Sequence, residues 1–140
     1  LSIYLDASVL VAMLTPDAMT SRAIALMRGK GLAAVVSDFA VAEVVSAVAR
    51  QVRTKDTTPE DARAVFFQLD FWVATYAAST ETTNADVRSA DALMRRLDLP
   101  LRTPDALHIA IAERVGATLA TFDVKMAAAA RVIGLPVAAA

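Results

Sequence analysis

Ser2-Ile3-Tyr4-Leu5-Asp6-Ala7-Ser8-Val9-Leu10 is the stretch whose reading decides the fold. A short apolar, strand-like run stops at a carboxylate, and helix-compatible residues follow at once. The pattern returns late in the chain, where Thr118-Leu119-Ala120-Thr121-Phe122 runs into Asp123 and a helix-like stretch from Val124. Short apolar strands alternating with helices predict an α/β protein with a central, mostly parallel sheet flanked by helices. Ligands of open α/β sheets bind beyond the carboxyl ends of the strands. Asp6 and Asp123 belong there, and Asp105 opens a helix after Thr103-Pro104.

The chain between these landmarks keeps the same alternation. A helix over about Ser8 to Leu14 stops at Thr15-Pro16, a second spans about Met19 to Arg28 with Gly29 and Gly31 beyond its end, and Leu32 to Val36 reads as a strand. Ser37-Asp38 starts a helix from Phe39 to about Arg53. Thr58-Pro59-Glu60-Asp61 supplies an N-cap, a first-turn proline and early acids for a helix through about Val73. A short strand near Thr75 to Ala78 precedes a helix from about Asn84 to Leu97, whose Val87, Ala90, Met94 and Leu97 fall on one face. Thr103 is expected to cap a helix reaching about Val115, followed by a strand over Thr118 to Thr121, a helix over Val124 to Ile133 and an edge strand at Val137. No repeat or long linker interrupts the 140 residues, so one domain over residues 1–140 is expected.

Composition narrows the chemistry. Hydrophobic residues make up 56% of the chain, yet the charge-free segment from Phe71 to Thr80 is about half the roughly 20 residues a spanning helix needs. No membrane association is expected, and the apolar excess points to a subunit interface, hence a homodimer. With no cysteine, any metal must be held by oxygen or by the lone His108. The first residues lack the basic region and cleavage site of a secretory signal, so a cytoplasmic location is expected. Net charge is −1, but if four of the 15 carboxylates are neutralised by a cation, the 14 Lys and Arg outnumber the rest. Arg22, Arg28, Lys30, Arg50, Arg53, Arg88, Arg95, Arg96, Arg102 and Lys125 are then available for phosphates, although solvated helix faces account for most of them.

Each acid has an ordinary structural reading beside the functional one. Asp6 and Asp123 suit N-caps, and Asp105 suits a first helical turn, where negative charge meets the helix dipole favourably. Glu43 differs: it is the only charge between Phe39 and Ala49, among Val41, Ala42, Val44, Val45, Ala47 and Val48. A buried lone carboxylate is costly unless a cation or donor satisfies it. Four carboxylates in one pocket repel strongly, and a divalent cation resolves the repulsion. Carboxylate-only ligation suits hard Mg²⁺ or Mn²⁺, and that chemistry is metal-assisted phosphodiester hydrolysis.

Taken together, Tyr4-Leu5-Asp6-Ala7-Ser8-Val9-Leu10, Ala42-Glu43, Thr103-Pro104-Asp105-Ala106-Leu107-His108-Ile109-Ala110 and Thr121-Phe122-Asp123 resemble a PIN domain of the VapC toxin type, over essentially the whole chain. The resemblance implies a ribonuclease from a type II toxin–antitoxin pair, cutting RNA with Mg²⁺ or Mn²⁺ and held in check by a cognate VapB-type antitoxin. Asp6, Glu43, Asp105 and Asp123 become the metal and catalytic carboxylates. Ser8 and Thr121 match hydroxyl positions that orient a water or a carboxylate, against plain helix and strand readings. The expected products carry 5′-phosphate and 3′-hydroxyl ends. The expected inhibitor inserts a basic residue towards Asp6 and Asp105, with the rest of its segment beside Met13, Leu14, Ile24 and Met27. A catalytically silent PIN-fold binding module and a phosphoacceptor receiver domain are the alternative readings.

Four further features take their structural reading. His108, one turn after Asp105, is read as a packed histidine rather than a ligand or base. Asp91 is read as a rim residue beside the apolar stripe, and Asp86 as a first-turn acid. Phe66, Phe67, Leu69, Phe71 and Trp72 are read as core or dimer packing rather than a base-stacking platform, because no basic residues interleave them.

Overall fold

The computed structural model describes residues 1–28 and 31–138. Gly29 and Lys30, read above as a helix end and a phosphate candidate, lie outside the described residues, as do the last two alanines. The elements are β1 (Ser2–Leu5), α1 (Ala7–Leu14), α2 (Thr20–Met27), β2 (Ala33–Ser37), α3 (Asp38–Arg53), α4 (Pro59–Tyr76), β3 (Ala77–Thr80), α5 (Asn84–Arg95), α6 (Thr103–Arg114), β4 (Thr118–Ala120), α7 (Val124–Val132) and β5 (Val137–Ala138). Strand order is β3-β2-β1-β4-β5 and every pairing is parallel, so the expected mostly parallel sheet is parallel throughout.

The middle strand explains the apolar run that opens the chain. Ile3, Tyr4 and Leu5 are all fully buried, because a parallel sheet with helices on both faces hides both sides of its central strand. Successive side chains alternate across the pleat. Ile3 and Leu5 join Val9, Val44, Val48 and Leu69 on one face, while Tyr4 joins Ile109, Ile111, Leu119 and Met126 on the other. Burying an aliphatic side chain of this kind stabilises by about 1.5–3 kcal/mol. Strand order also reverses at β1, with β2 on one side and β4 on the other, and the crevice at such a reversal is where α/β sheets bind ligands.

Local chemistry sets most helix starts. Ser37, Thr58 and Thr83 each accept a backbone N–H from three residues on, at 3.0, 3.1 and 3.2 Å. Gly116 adopts φ +66° between α6 and β4, a left-handed turn glycine takes without a Cβ clash.

Three expectations shift. The strand placed near Thr75 to Ala78 is Ala77–Thr80, because α4 continues to Tyr76. Packing carries it past the β-prone residues: Leu69 is buried, and the Trp72 and Tyr76 rings meet one turn apart with centroids 6.1 Å away. On α5, Ala90 and Met94 do turn inward, but Val87 is exposed and Leu97 is 89% exposed. The buried face begins instead at Asp86, which Arg114 of α6 grips with Nε–Oδ1 2.7 Å and Nη2–Oδ2 3.0 Å. Finally, α6 begins at Thr103, and the backbone N–H of Arg102 is accepted by Asp105 Oδ2 at 3.1 Å, so Asp105 rather than a Thr103 cap completes its first turn.

Candidate functional site

Beyond the carboxyl ends of β1 and β4 lies a cavity of about 280 Å³ bordered by Asp6, Glu43, Asp105 and Asp123, together with Ser8, Arg102 and His108. Four different elements deliver the acids. Asp6 follows β1 and caps α1, accepting the Val9 N–H at 3.2 Å, and Asp123 caps α7, accepting the Met126 N–H at 2.9 Å. Glu43 projects from α3 and Asp105 from the first turn of α6. For Asp6 and Asp123, capping and lining the cavity are one arrangement: the backbone donor that stabilises the helix also holds the carboxylate still.

The hydroxyls of Ser8 and Thr121 bind the first acid directly. Ser8 Oγ donates to Asp6 Oδ1 at 2.6 Å and Thr121 Oγ1 donates to Asp6 Oδ2 at 2.5 Å. Each hydroxyl also accepts a backbone N–H from the β4–α7 connection, Ser8 from Phe122 and Thr121 from Asp123, both at 3.0 Å. Two of these bonds, Thr121 to Asp6 and Phe122 to Ser8, tie the end of β4 to the end of β1. Burial pushes the Asp6 carboxyl above its ordinary value, against the hydroxyls of Ser8 and Thr121, which pull it down. A buried acid that resists ionisation beside three further carboxylates is a setting that a cation relieves.

The donor chemistry fits a hard divalent ion, since the four acids that line the cavity offer only oxygen. Among the described residues no three acid or histidine side chains form a ready-made ligand set. The four acids share a cavity without converging on one point.

Two expectations about individual residues change. Glu43 is not a buried lone carboxylate: its side chain is 31% exposed, and its Oε1 meets Nε2 of His108. His108 is buried and packed as expected, with its ring 5.1 Å from that of Phe39 between centroids, but it is also tied to the site. Its Nδ1 lies 2.7 Å from the Tyr4 hydroxyl, which lies 2.8 Å from Ser37 Oγ. The sequence marked Ser37 only as a helix start and Tyr4 only as part of a strand, not as site residues; the one signal was a polar-tipped ring in an otherwise apolar strand. Asp91 sits on the exposed rim, paired with Arg95 at 2.8 Å. Of the residues set beside a partner segment, Met13, Leu14 and Met27 pack on the core and Ile24 is exposed.

A parallel sheet with an acid-lined crevice at its reversal point is shared by a known class of α/β proteins. The sequence pattern of the PIN domain matches residues 3–132, and the chain belongs to that family. No curated protein matches the chain by sequence. Among solved structures it is similar to the Mycobacterium tuberculosis toxin VapC20, which cleaves the sarcin-ricin loop, at TM-score 0.73 and 19% identity over 95% of each chain. It is also similar to VapBC2 from Rickettsia felis bound to a promoter DNA fragment, at TM-score 0.69 and 19% identity over 99% of this chain and 98% of that one. FitAcB from Neisseria gonorrhoeae gives TM-score 0.69 and 20% identity over 96% and 95%. At these identities the likeness is one of fold. Among the described residues no helix is long and apolar enough to cross a membrane.

Proposed function

We propose that this PIN domain, a single unit over residues 1–140, is a metal-dependent endoribonuclease, the toxin of a type II toxin–antitoxin pair. The observation that carries the reading is the cavity at the carboxyl edge of the parallel sheet, bordered by Asp6, Glu43, Asp105 and Asp123. In this reading the four acids hold Mg²⁺ or Mn²⁺. Such an ion, when bound, would polarise a phosphate oxygen and make water at the site more acidic than in bulk.

The chain's own residues supply the rest. Ser8 and Thr121 fix both oxygens of Asp6, so that its orientation needs no rearrangement when the charge distribution changes. Asp105 is held by the Arg102 N–H, and the exposed Arg102 guanidinium, whose Nε is 3.9 Å from Asp105 Oδ2, would in this reading meet a phosphate. In-line attack of water then leaves 5′-phosphate and 3′-hydroxyl ends. The solved relatives captured with antitoxins support a VapB-type inhibitor for this chain, whose basic residue would compete with the cation for Asp6 and Asp105. A cytoplasmic site of action and a homodimer belong to the same reading.

The test is cleavage of RNA by purified chain in Mg²⁺, Mn²⁺ or chelator, beside Asp6→Asn and Asp105→Asn. Cleavage should need the ion and both aspartates, with 5′-phosphate ends. Cleavage that persists in chelator, or in the double variant, overturns the reading.

A further inference from the structure

The lone imidazole of the chain is buried against the back of the site, and its two nitrogens face groups of opposite demand. His108 Nε2 meets the carboxylate of Glu43, which only accepts, and His108 Nδ1 meets the Tyr4 hydroxyl, which can donate or accept. A neutral ring carrying its proton on Nδ1 would turn a bare lone pair towards a carboxylate. The favourable arrangement has the proton on Nε2, which leaves Nδ1 to accept from Tyr4. Ser37 completes the chain: its oxygen accepts the Ala40 N–H at 3.0 Å and lies 2.8 Å from the Tyr4 oxygen, where either hydroxyl can donate; once Tyr4 gives its hydrogen to Nδ1, Ser37 is the donor. If Tyr4 instead accepted from His108, it would donate to Ser37 and leave the Ser37 hydrogen without that partner.

We infer that Ser37, Tyr4 and His108 form a buried relay that holds the imidazole as the Nε2–H tautomer, and that His108 is a positioning residue for Glu43 at the cation site. The hydrogen bonds then run one way, from Ser37 to Tyr4 to Nδ1, and from Nε2–H to Glu43 Oε1. Phe39 and Tyr4 pack against the ring from either contact, at 5.1 and 5.7 Å between centroids, and limit its rotation. Groups that orient a ligating carboxylate in this way govern metal affinity without touching the ion. Two helices remote in sequence, α3 and α6, are thereby tied at the cavity's border.

This inference rests on the proposed metal site, and the test separates the two. Because His108 is the only histidine, long-range ¹⁵N–¹H spectra of tag-free protein report its tautomer unambiguously, with neither metal nor RNA present. The wild type should show the Nε2–H form, and Tyr4→Phe a mixture of tautomers. Mn²⁺ titration should show binding weakened about 10–100-fold in His108→Leu and largely restored in His108→Gln, whose amide N–H can replace Nε2–H. Circular dichroism and melting confirm folding of each variant, and Tyr4→Phe carries the test if His108→Leu does not fold. An Nδ1–H tautomer, or a doubly protonated ring at neutral pH and above, overturns the relay. Wild-type affinity for Mn²⁺ in folded His108→Leu overturns the positioning role. A wild type that binds no Mn²⁺ overturns the metal-site reading itself, and His108's role with it.

Discussion

Asp6 is the residue on which stability and the proposed function pull in opposite directions. Burial raises its carboxyl above the ordinary value despite two hydroxyl donors, so the native state holds that proton more tightly than the unfolded chain does. Stability contributed at low pH is therefore lost as pH rises from the unfolded value through the folded one. Without divalent ions, Asp6→Asn should melt at a higher temperature than wild type near neutral pH, and the advantage should vanish in acid. Cleavage by the same variant should fall by more than about 100-fold. A variant less stable than wild type in chelator at neutral pH would contradict this account. Thr121→Val tests the neighbouring hydroxyl: it keeps the shape but leaves an oxygen of Asp6 and the Asp123 N–H without their partner. We expect a loss of about 1–3 kcal/mol in urea unfolding and about 10–100-fold slower cleavage. If Thr121 were only a strand residue, the activity loss would be absent.

At the scale of elements, a half-buried ion pair helps to hold α5 against α6. Asp86 is pushed up by burial, but Arg114 and the Thr83 cap outweigh that and leave it below the ordinary carboxylate range, while Arg114 is raised by its contact with Asp86. Here the sign reverses relative to Asp6. The pair's contribution is complete above the unfolded pKa of an aspartate and disappears as pH falls through the lowered native value. Asp86→Ala should cost about 1–3 kcal/mol in denaturant unfolding at neutral pH, and much less in strong acid. A cost independent of pH would argue against the ion pair as its cause. Just past α5, Leu97 holds φ +65° while 89% exposed, a left-handed conformation that Cβ disfavours. Leu97→Gly removes that strain and no buried contact, so it should raise stability by about 1 kcal/mol, read from the melting midpoint.

On the scale of the whole molecule, α4 divides the aromatic block between two roles. Leu69 is buried and Phe66 and Trp72 pack on the core, whereas Phe67 and Phe71, one turn apart, are 72% and 57% exposed. Exposed apolar stripes of this kind suit a subunit contact. The proposed homodimer is expected to use this face. Sedimentation should show a dimer at micromolar concentration that Phe67→Glu with Phe71→Glu converts to monomer, with melting of the monomer unchanged apart from lost association. A wild type that sediments as a monomer throughout that range removes the dimer from the reading.

The sequence by itself determined the order of elements and the ends of most of them, because capping hydroxyls, first-turn prolines and apolar runs act within a few residues. It also placed Asp6, Asp105 and Asp123 at strand exits and a helix start, where local patterns are enough to position an acid. Tertiary structure decided what those patterns could not encode. The inward face of α5 turned towards Asp86 because its charge is matched by Arg114, 28 positions on. Glu43 is satisfied by His108, 65 positions away, and Tyr4 reaches the same ring across 104. Such partners leave no periodic trace in the chain, since a hydrogen bond between distant residues exists only after packing has brought them within reach and removed the water that would otherwise compete.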